Sequence, residues 1–198
     1  MGTKGDKTKK NIREEAYKLF AERGFKDVTM KDICDKTGLS RGGLYRHYES
    51  TEQIFLEIID SFTEKQKNEF TDKIRQRIPA IEILDDIFLR YEEEMTESNN
   101  SLSAAIYEYY SNPKVSKTKN SVVKQYEISK SMWIELINYG IENNEFRKVD
   151  PEAVFDLIVF SYQGVRMYSR MMKIDASIPK GIINEIKRLL LPEEVYHG

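Results

Sequence analysis

Thiol and imidazole side chains, the commonest soft-metal ligands and near-neutral proton carriers, are few in this 198-residue chain: one cysteine, Cys34, and two histidines, His47 and His197. One cysteine forbids an internal disulfide, and one Cys with two distant His cannot supply the four ligands of a structural zinc site. Neither histidine stands where a nucleophile–base–acid arrangement would need it, and no phosphate loop or metal-ligand motif is present. The sequence therefore predicts no enzyme, no cofactor and no metal, with Cys34 as a small core residue. What remains is a concentration of cations and hydroxyls: Ser40-Arg41-Gly42-Gly43 followed by Tyr45-Arg46-His47, with Thr29 and Lys31 before it and Thr51 after it. Guanidinium and hydroxyl groups at that density suit a polyanionic surface.

The elements that would hold these groups are short helices. Ile12, Ala16, Leu19 and Phe20 recur on one helical face over Lys9–Arg23, and Gly24 follows as a stop. Thr29 can cap a second helix with Asp32 as a short-armed capping-box partner, and Gly38 ends it. Ser40 caps a third helix over Arg41–Tyr48, with Leu44 and Tyr48 four apart on its inner face, and Ser50-Thr51-Glu52-Gln53 opens a fourth. Residues 29–48 thus read as a helix-turn-helix whose second helix could enter a major groove about 12 Å wide. Two glycines in its first turn each cost roughly 1 kcal/mol against alanine, which makes sense where bare backbone must approach a surface closely. The charge agrees. The whole chain has a formal net charge of -2, yet residues 1–48 hold 12 Lys+Arg against 7 Asp+Glu, a net of +5, which leaves -7 for the rest. A basic arm, Lys4, Lys7, Lys9 and Lys10, precedes the motif.

Phe20-Ala21-Glu22-Arg23-Gly24-Phe25, Val28-Thr29-Met30-Lys31-Asp32-Ile33, Thr37-Gly38-Leu39-Ser40-Arg41-Gly42-Gly43-Leu44-Tyr45-Arg46-His47-Tyr48 and Ser50-Thr51-Glu52 resemble the DNA-binding domain of the TetR family of bacterial transcriptional regulators. The resemblance covers about residues 8–60; Gly140 to Arg147 followed by Asp150-Pro151-Glu152 is similar to a turn found in many members. It implies an all-α homodimer of about nine helices, with a DNA-binding domain over 1–60 and a ligand-binding and dimerisation domain over 61–198. It implies a ligand-responsive repressor that binds a palindromic operator in double-stranded DNA and is released by a small, largely apolar effector. By position, Thr29, Tyr45 and His47 would meet phosphates, Ser40, Arg41, Gly42 and Gly43 would face the groove, and Arg46 would read or clamp. Many members carry Lys at position 51, so the charge contribution of Thr51 is reduced to one hydroxyl. The alternative is a small-molecule- or partner-binding helical module whose DNA binding is vestigial.

Gly and Pro are absent between Gly43 and Pro79, so the fourth helix could run to Arg77. Further helices are expected over Ala80–Met95, about Leu102–Tyr110, Asn112 to about Asn143, Asp150–Met172 and after Pro179. Aromatic residues concentrate in this half, and Phe88, Tyr91, Tyr107, Trp133, Phe160 and Gln163 are the candidate ligand-binding residues, with Glu92 and Glu108 able to balance a cation. The dimer interface is expected from the last two helices, through Val154, Leu157, Ile158, Ser161, Gly164, Val165, Tyr168, Ile182, Ile183, Ile186 and Leu190. The charged N-terminus and the absence of any apolar run near 20 residues predict a cytoplasmic chain with no membrane partner.

Overall fold

The computed structural model describes residues 4–66, 69–96, 101–115 and 121–193, and among these every regular element is a helix. In chain order they are α1 (Lys4–Arg23), α2 (Met30–Thr37), α3 (Arg41–Tyr45), α4 (Thr51–Gln66), α5 (Glu69–Arg75), α6 (Ala80–Thr96), α7 (Ser103–Tyr110), α8 (Ser121–Glu142), α9 (Pro151–Tyr168) and α10 (Ser177–Leu190). The chain folds into two units, 1–64 with 99–124, and 65–98 with 125–198. The first unit is therefore built from two stretches of chain.

Local chemistry sets the boundaries. Thr29 caps α2 with the reciprocal bonds expected: its Oγ1 accepts from the Asp32 amide, and Asp32 Oδ2 accepts from the Thr29 amide at 2.8 Å. Gly38, at φ +71°, ends α2 in the left-handed region that favours glycine. Ser40 Oγ accepts from the Gly43 amide at 3.1 Å and starts α3. That helix is shorter than its periodicity suggested, closing at Tyr45 with a turn through Arg46 and His47. At the next helix start Ser50 Oγ takes the Gln53 amide, and the Gln53 side chain reaches back to the Glu49 amide.

Three expectations change. The basic arm is helical, since α1 begins at Lys4, two turns before its first buried residue, Ile12. The helix expected from Thr51 to Arg77 is helical over α4 and α5 and stops at Arg75, residues 67–68 lying outside the described residues. The helix expected from Asn112 is replaced by turns over 111–115, and α8 starts at Ser121.

The core of the first unit packs Ile12, Ala16, Leu19 and Phe20 of α1 against Ile33, Leu44, Tyr48, Ile54, Phe55 and Ile58. Cys34 is buried there, as expected of a small core residue. Leu102, Ala105 and Tyr109 from the α7 stretch complete it. The second unit centres on Trp133, edge-on to Phe70 at 5.4 Å and stacked on Phe88 at 5.9 Å, surrounded by Ile83, Ile87, Leu136, Phe155, Ile158, Ile183 and Ile186. Gly140 is needed because Phe146 folds back over it: a Cβ at position 140 would lie 2.3 Å from the Phe146 ring.

Candidate nucleic-acid interface

The helix-turn-helix presents one exposed polar surface. Leu44 and Tyr48 turn inward and are buried, which leaves Ser40, Arg41, Gly42, Tyr45 and Arg46 exposed and His47 half-buried. Tyr45 is 52% exposed, unusual for a large aromatic with an apolar core close by, and its hydroxyl is free to reach a partner outside the chain. A Cβ at Gly42 would meet nothing within 4 Å, so the backbone there faces open space. Gly43 differs: it is buried, and a Cβ would sit 3.2 Å from Ser40 Oγ. Its lack of a side chain serves the N-cap of α3, and it is not part of the exposed face expected of it.

Supporting groups are held by bonds of their own. The Thr29 hydroxyl donates to Asp32 Oδ2 at 2.5 Å, so its hydrogen is already committed within the cap, and Arg23 adds a 3.2 Å bond to Asp32 Oδ1. These hydroxyl and amide bonds from Thr29, with the Arg23 charge, hold the Asp32 carboxyl below its ordinary value. Lys31 is exposed on α2 and Thr51 lies half-exposed at the start of α4. Lys9 sits 5.1 Å over the Tyr48 ring and 3.9 Å from Glu57, which also pairs with Arg13; Lys4, Lys7 and Lys10 are exposed.

The helix expected over about Leu102–Tyr110 is present as α7, and what sequence reasoning missed is its place in the first unit. Glu108, considered above as a counter-charge for a ligand, points its carboxylate at the end of α1, where Oε2 accepts the Phe25 amide at 2.8 Å and the Lys26 amide at 3.3 Å. Tyr109 donates to Glu52 Oε1 at 2.5 Å, and its ring joins Phe20, Phe25 and Phe55 in one aromatic cluster with neighbouring centroids 4.9 to 5.9 Å apart. Burial and the nearby Glu52 carboxylate push the Tyr109 phenol above its ordinary value. These contacts join residues 57 to 83 positions apart, beyond the reach of periodicity.

Residues 12–58 match the family described as "Bacterial regulatory proteins, tetR family". The matched segment, residues 12–58, is a TetR-family domain. It is 27% identical over 148 residues to the HTH-type transcriptional repressor KstR2 of Mycobacterium tuberculosis, an alignment covering 74% of this chain and 72% of that protein. A solved TetR regulator from Chloroflexus aurantiacus superposes with a TM-score of 0.76 at 22% identity, over 96% of this chain and 99% of the other. The structure of the ketosteroid transcriptional regulator KstR2 of M. tuberculosis gives 0.66 at 23%, over 93% and 95%. These relatives are transcriptional regulators, not enzymes, and the matched segment is the one bearing the exposed face of α3. No helix among the described residues is long and apolar enough to cross a membrane.

The remaining expected sites divide. Phe88, Tyr91 and Trp133 do come together in the second unit, with Tyr91 6.3 Å from Trp133. Tyr107 belongs to α7 in the first unit and is 63% exposed; Phe160 is 65% exposed on α9, and Gln163 is exposed beside it. These three do not join the buried aromatic group. Of the residues expected at a dimer interface, Val154, Ile158, Val165, Ile183, Ile186 and Leu190 are buried in their own chain's core, and Ser161, Gly164 and Ile182 are half-buried. Leu157 and Tyr168 face outward, and Phe160 and Met171 extend the same exposed apolar stripe. The residue missed in the second unit is Tyr162, stacked on Tyr91 at 4.2 Å, whose hydroxyl donates to Glu94 and accepts from Arg166 Nη1 at 2.5 Å.

Proposed function

We propose that this chain is a TetR-family repressor that binds a palindromic operator in double-stranded DNA as a homodimer and is released by a small, largely apolar effector. The observation that carries the reading is the exposed face of α3, where Arg41, Tyr45 and Arg46 stand around bare backbone at Gly42. An arginine on such a helix donates both N–H groups to guanine O6 and N7, while a phenol and flanking amides take phosphates. Ser40, Lys31, His47 and Thr51 are assigned supporting contacts, and Thr29 contacts DNA through its hydroxyl only by exchanging its bond to Asp32.

The homodimer rests on the outward stripe Leu157, Phe160, Gly164, Tyr168 and Met171, spaced three and four along and just beyond α9. A contiguous exposed apolar strip of that spacing suits a helix–helix interface between two copies, and two copies bring two reading helices to a two-fold symmetric site. Responsiveness rests on chain continuity. The stretch 99–124, which holds the first unit through Glu108 and Tyr109, is joined at one end to α6 and at the other continues through α8, whose later residues belong to the second unit. An effector that shifts the ends of those helices would pull on the contacts at Phe25 and Glu52. The aromatic group Phe88, Tyr91, Trp133 and Tyr162 is the proposed effector surface, and a relative described as a ketosteroid regulator is consistent with an apolar ligand.

Selection of bound duplexes from a random pool by the purified chain tests the reading. A two-fold symmetric consensus whose affinity falls steeply with salt is expected. Binding equal to that of random DNA at every salt concentration overturns it.

A further inference from the structure

Arg166 carries a guanidinium whose bonding is incomplete. Its Nη1 donates to the Tyr162 hydroxyl at 2.5 Å and lies 4.0 Å from Glu94 Oε2, while its Cζ lies 5.0 Å from the centre of the Tyr162 ring. Its Nε is buried with no hydrogen-bond partner, and among the described residues no acceptor meets Nη2. A buried N–H without an acceptor forfeits its bond to water and gains nothing in return, so native proteins keep few of them. The unfilled edge matters because Nε and Nη2 are the two parallel donors that take both oxygens of a carboxylate in one plane.

Glu94 is the anchor on the other side: its Oε2 accepts from the Tyr162 hydroxyl and lies 4.0 Å from Arg166 Nη1, and its Oε1 lies 4.0 Å from Arg90 Nε. The Arg166 nitrogen atoms adjoin an aromatic surface: Tyr162 stacks on Tyr91, and Tyr91 leads to Trp133. An acid with an apolar body matches both halves of this arrangement, whereas a cation offers no acceptor to the unpartnered Arg166 Nε.

We propose that the Nε–Nη2 edge of Arg166 binds the carboxylate of the effector, and that the effector is an apolar carboxylic acid whose hydrocarbon part lies against Tyr91, Tyr162 and Trp133. This deepens the reading above and rests on the second unit being the effector-binding unit. Tyr162 and Glu94 are positioning residues, since they orient the guanidinium through Nη1 and leave Nε without a hydrogen-bond partner.

The test uses the full-length chain and its single tryptophan, Trp133, as reporter. Hexanoate, octanoate, decanoate and cyclohexanecarboxylate are titrated in parallel with their methyl esters, which keep the apolar body and lose the charge. At least one acid is expected to give a saturable change in emission, with its ester at least about tenfold weaker, the loss expected when a charged pair is removed. Arg166→Met should erase the preference for acid over ester while leaving ester binding in place, and Arg166→Lys, which keeps the charge but not the paired donors, should restore only part of it. The acid–ester comparison on the unaltered chain needs no variant to fold. Esters binding as tightly as acids, no acid binding at all, or an Arg166→Met chain retaining the preference overturns the proposal. Operator binding is measured on the same samples. Acid binding without any change in operator affinity leaves Arg166 as an acid reader and removes the release step, while operator binding with no acid binding removes the proposal and leaves the DNA reading intact.

Discussion

Gly24 and Glu108 fit together across 84 positions of sequence: Gly24 sits at φ +83°, and a Cβ added there would come within 2.6 Å of both Glu108 carboxylate oxygens. The carboxylate can reach the Phe25 and Lys26 amides because the residue before them has no side chain.

Gly24→Ala should therefore lower stability by about 2 kcal/mol or more, from left-handed backbone cost together with the displaced carboxylate. Adding Glu108→Ala removes the clash but not the backbone cost, so the double variant should lose less than the sum of the two single ones. Urea unfolding of the four proteins measures this, and strict additivity would separate the two residues.

The two glycines of α3 should respond in opposite ways. Gly42→Ala, in open space, should leave stability unchanged or raise it by up to about 1 kcal/mol through helix propensity, yet weaken operator binding. Gly43→Ala should cost stability, because its Cβ presses on Ser40 Oγ at 3.2 Å. Thermal unfolding and operator titration on both variants give the comparison, and an operator affinity unchanged in Gly42→Ala would take α3 out of the groove.

Arg41→Ala is expected to cost about 1–3 kcal/mol of operator binding and relax preference at one base position in each half-site. Tyr45→Phe should weaken binding evenly across sequences. Comparing both variants on the selected consensus and on single-base substitutions of it tells base reading from phosphate contact.

Alkaline lability should come from buried phenols. Burial raises Tyr48 to about 12, and Tyr109 and Tyr162 are raised further, chiefly by burial, with Glu52 and Glu94 respectively adding to it. Each binds its proton more tightly folded than unfolded, so the folded state holds the extra protons over that interval. Their contribution is complete below the ordinary phenol value near about 10 and is lost as pH rises toward the folded values. The urea midpoint should fall steadily above that pH, less so in Tyr48→Phe; a midpoint flat over that interval would contradict it.

Leu157→Arg with Phe160→Arg should leave each chain folded, since both side chains are exposed, but yield monomers with weakened operator binding in sedimentation and titration. Ile158→Ala, one position from Leu157 but buried, should instead cost about 2–5 kcal/mol. Dimers surviving the double substitution would move the interface elsewhere.

What the sequence discloses is set by range. The Thr29–Asp32 cap, the Gly38 stop and the inward Leu44–Tyr48 pair span three or four residues, and local propensity reads them correctly. The face of α9 was less legible because Val154, Ile158 and Val165 are as apolar as Leu157, Phe160 and Tyr168; period alone does not tell which stripe faces the chain's own core. Glu108 and Tyr109 were invisible as partners of Phe25 and Glu52, and Arg166 as a partner of Glu94, because nothing local in a sequence marks a bond closed by another segment. A polar residue among helical charges looks solvated until its partner is known.

The first unit's two-stretch construction bears on how such a regulator could be recombined. Transplanting residues 1–64 onto a foreign sensor would carry over α3 and its arginines but leave Phe20, Phe25 and Phe55 without the Tyr109 ring, and the end of α1 without the Glu108 carboxylate. A working chimera has to exchange 99–124 along with the head, which makes the smallest portable module a pair of segments and constrains any sensor grafted to it to accept a foreign helix in its middle.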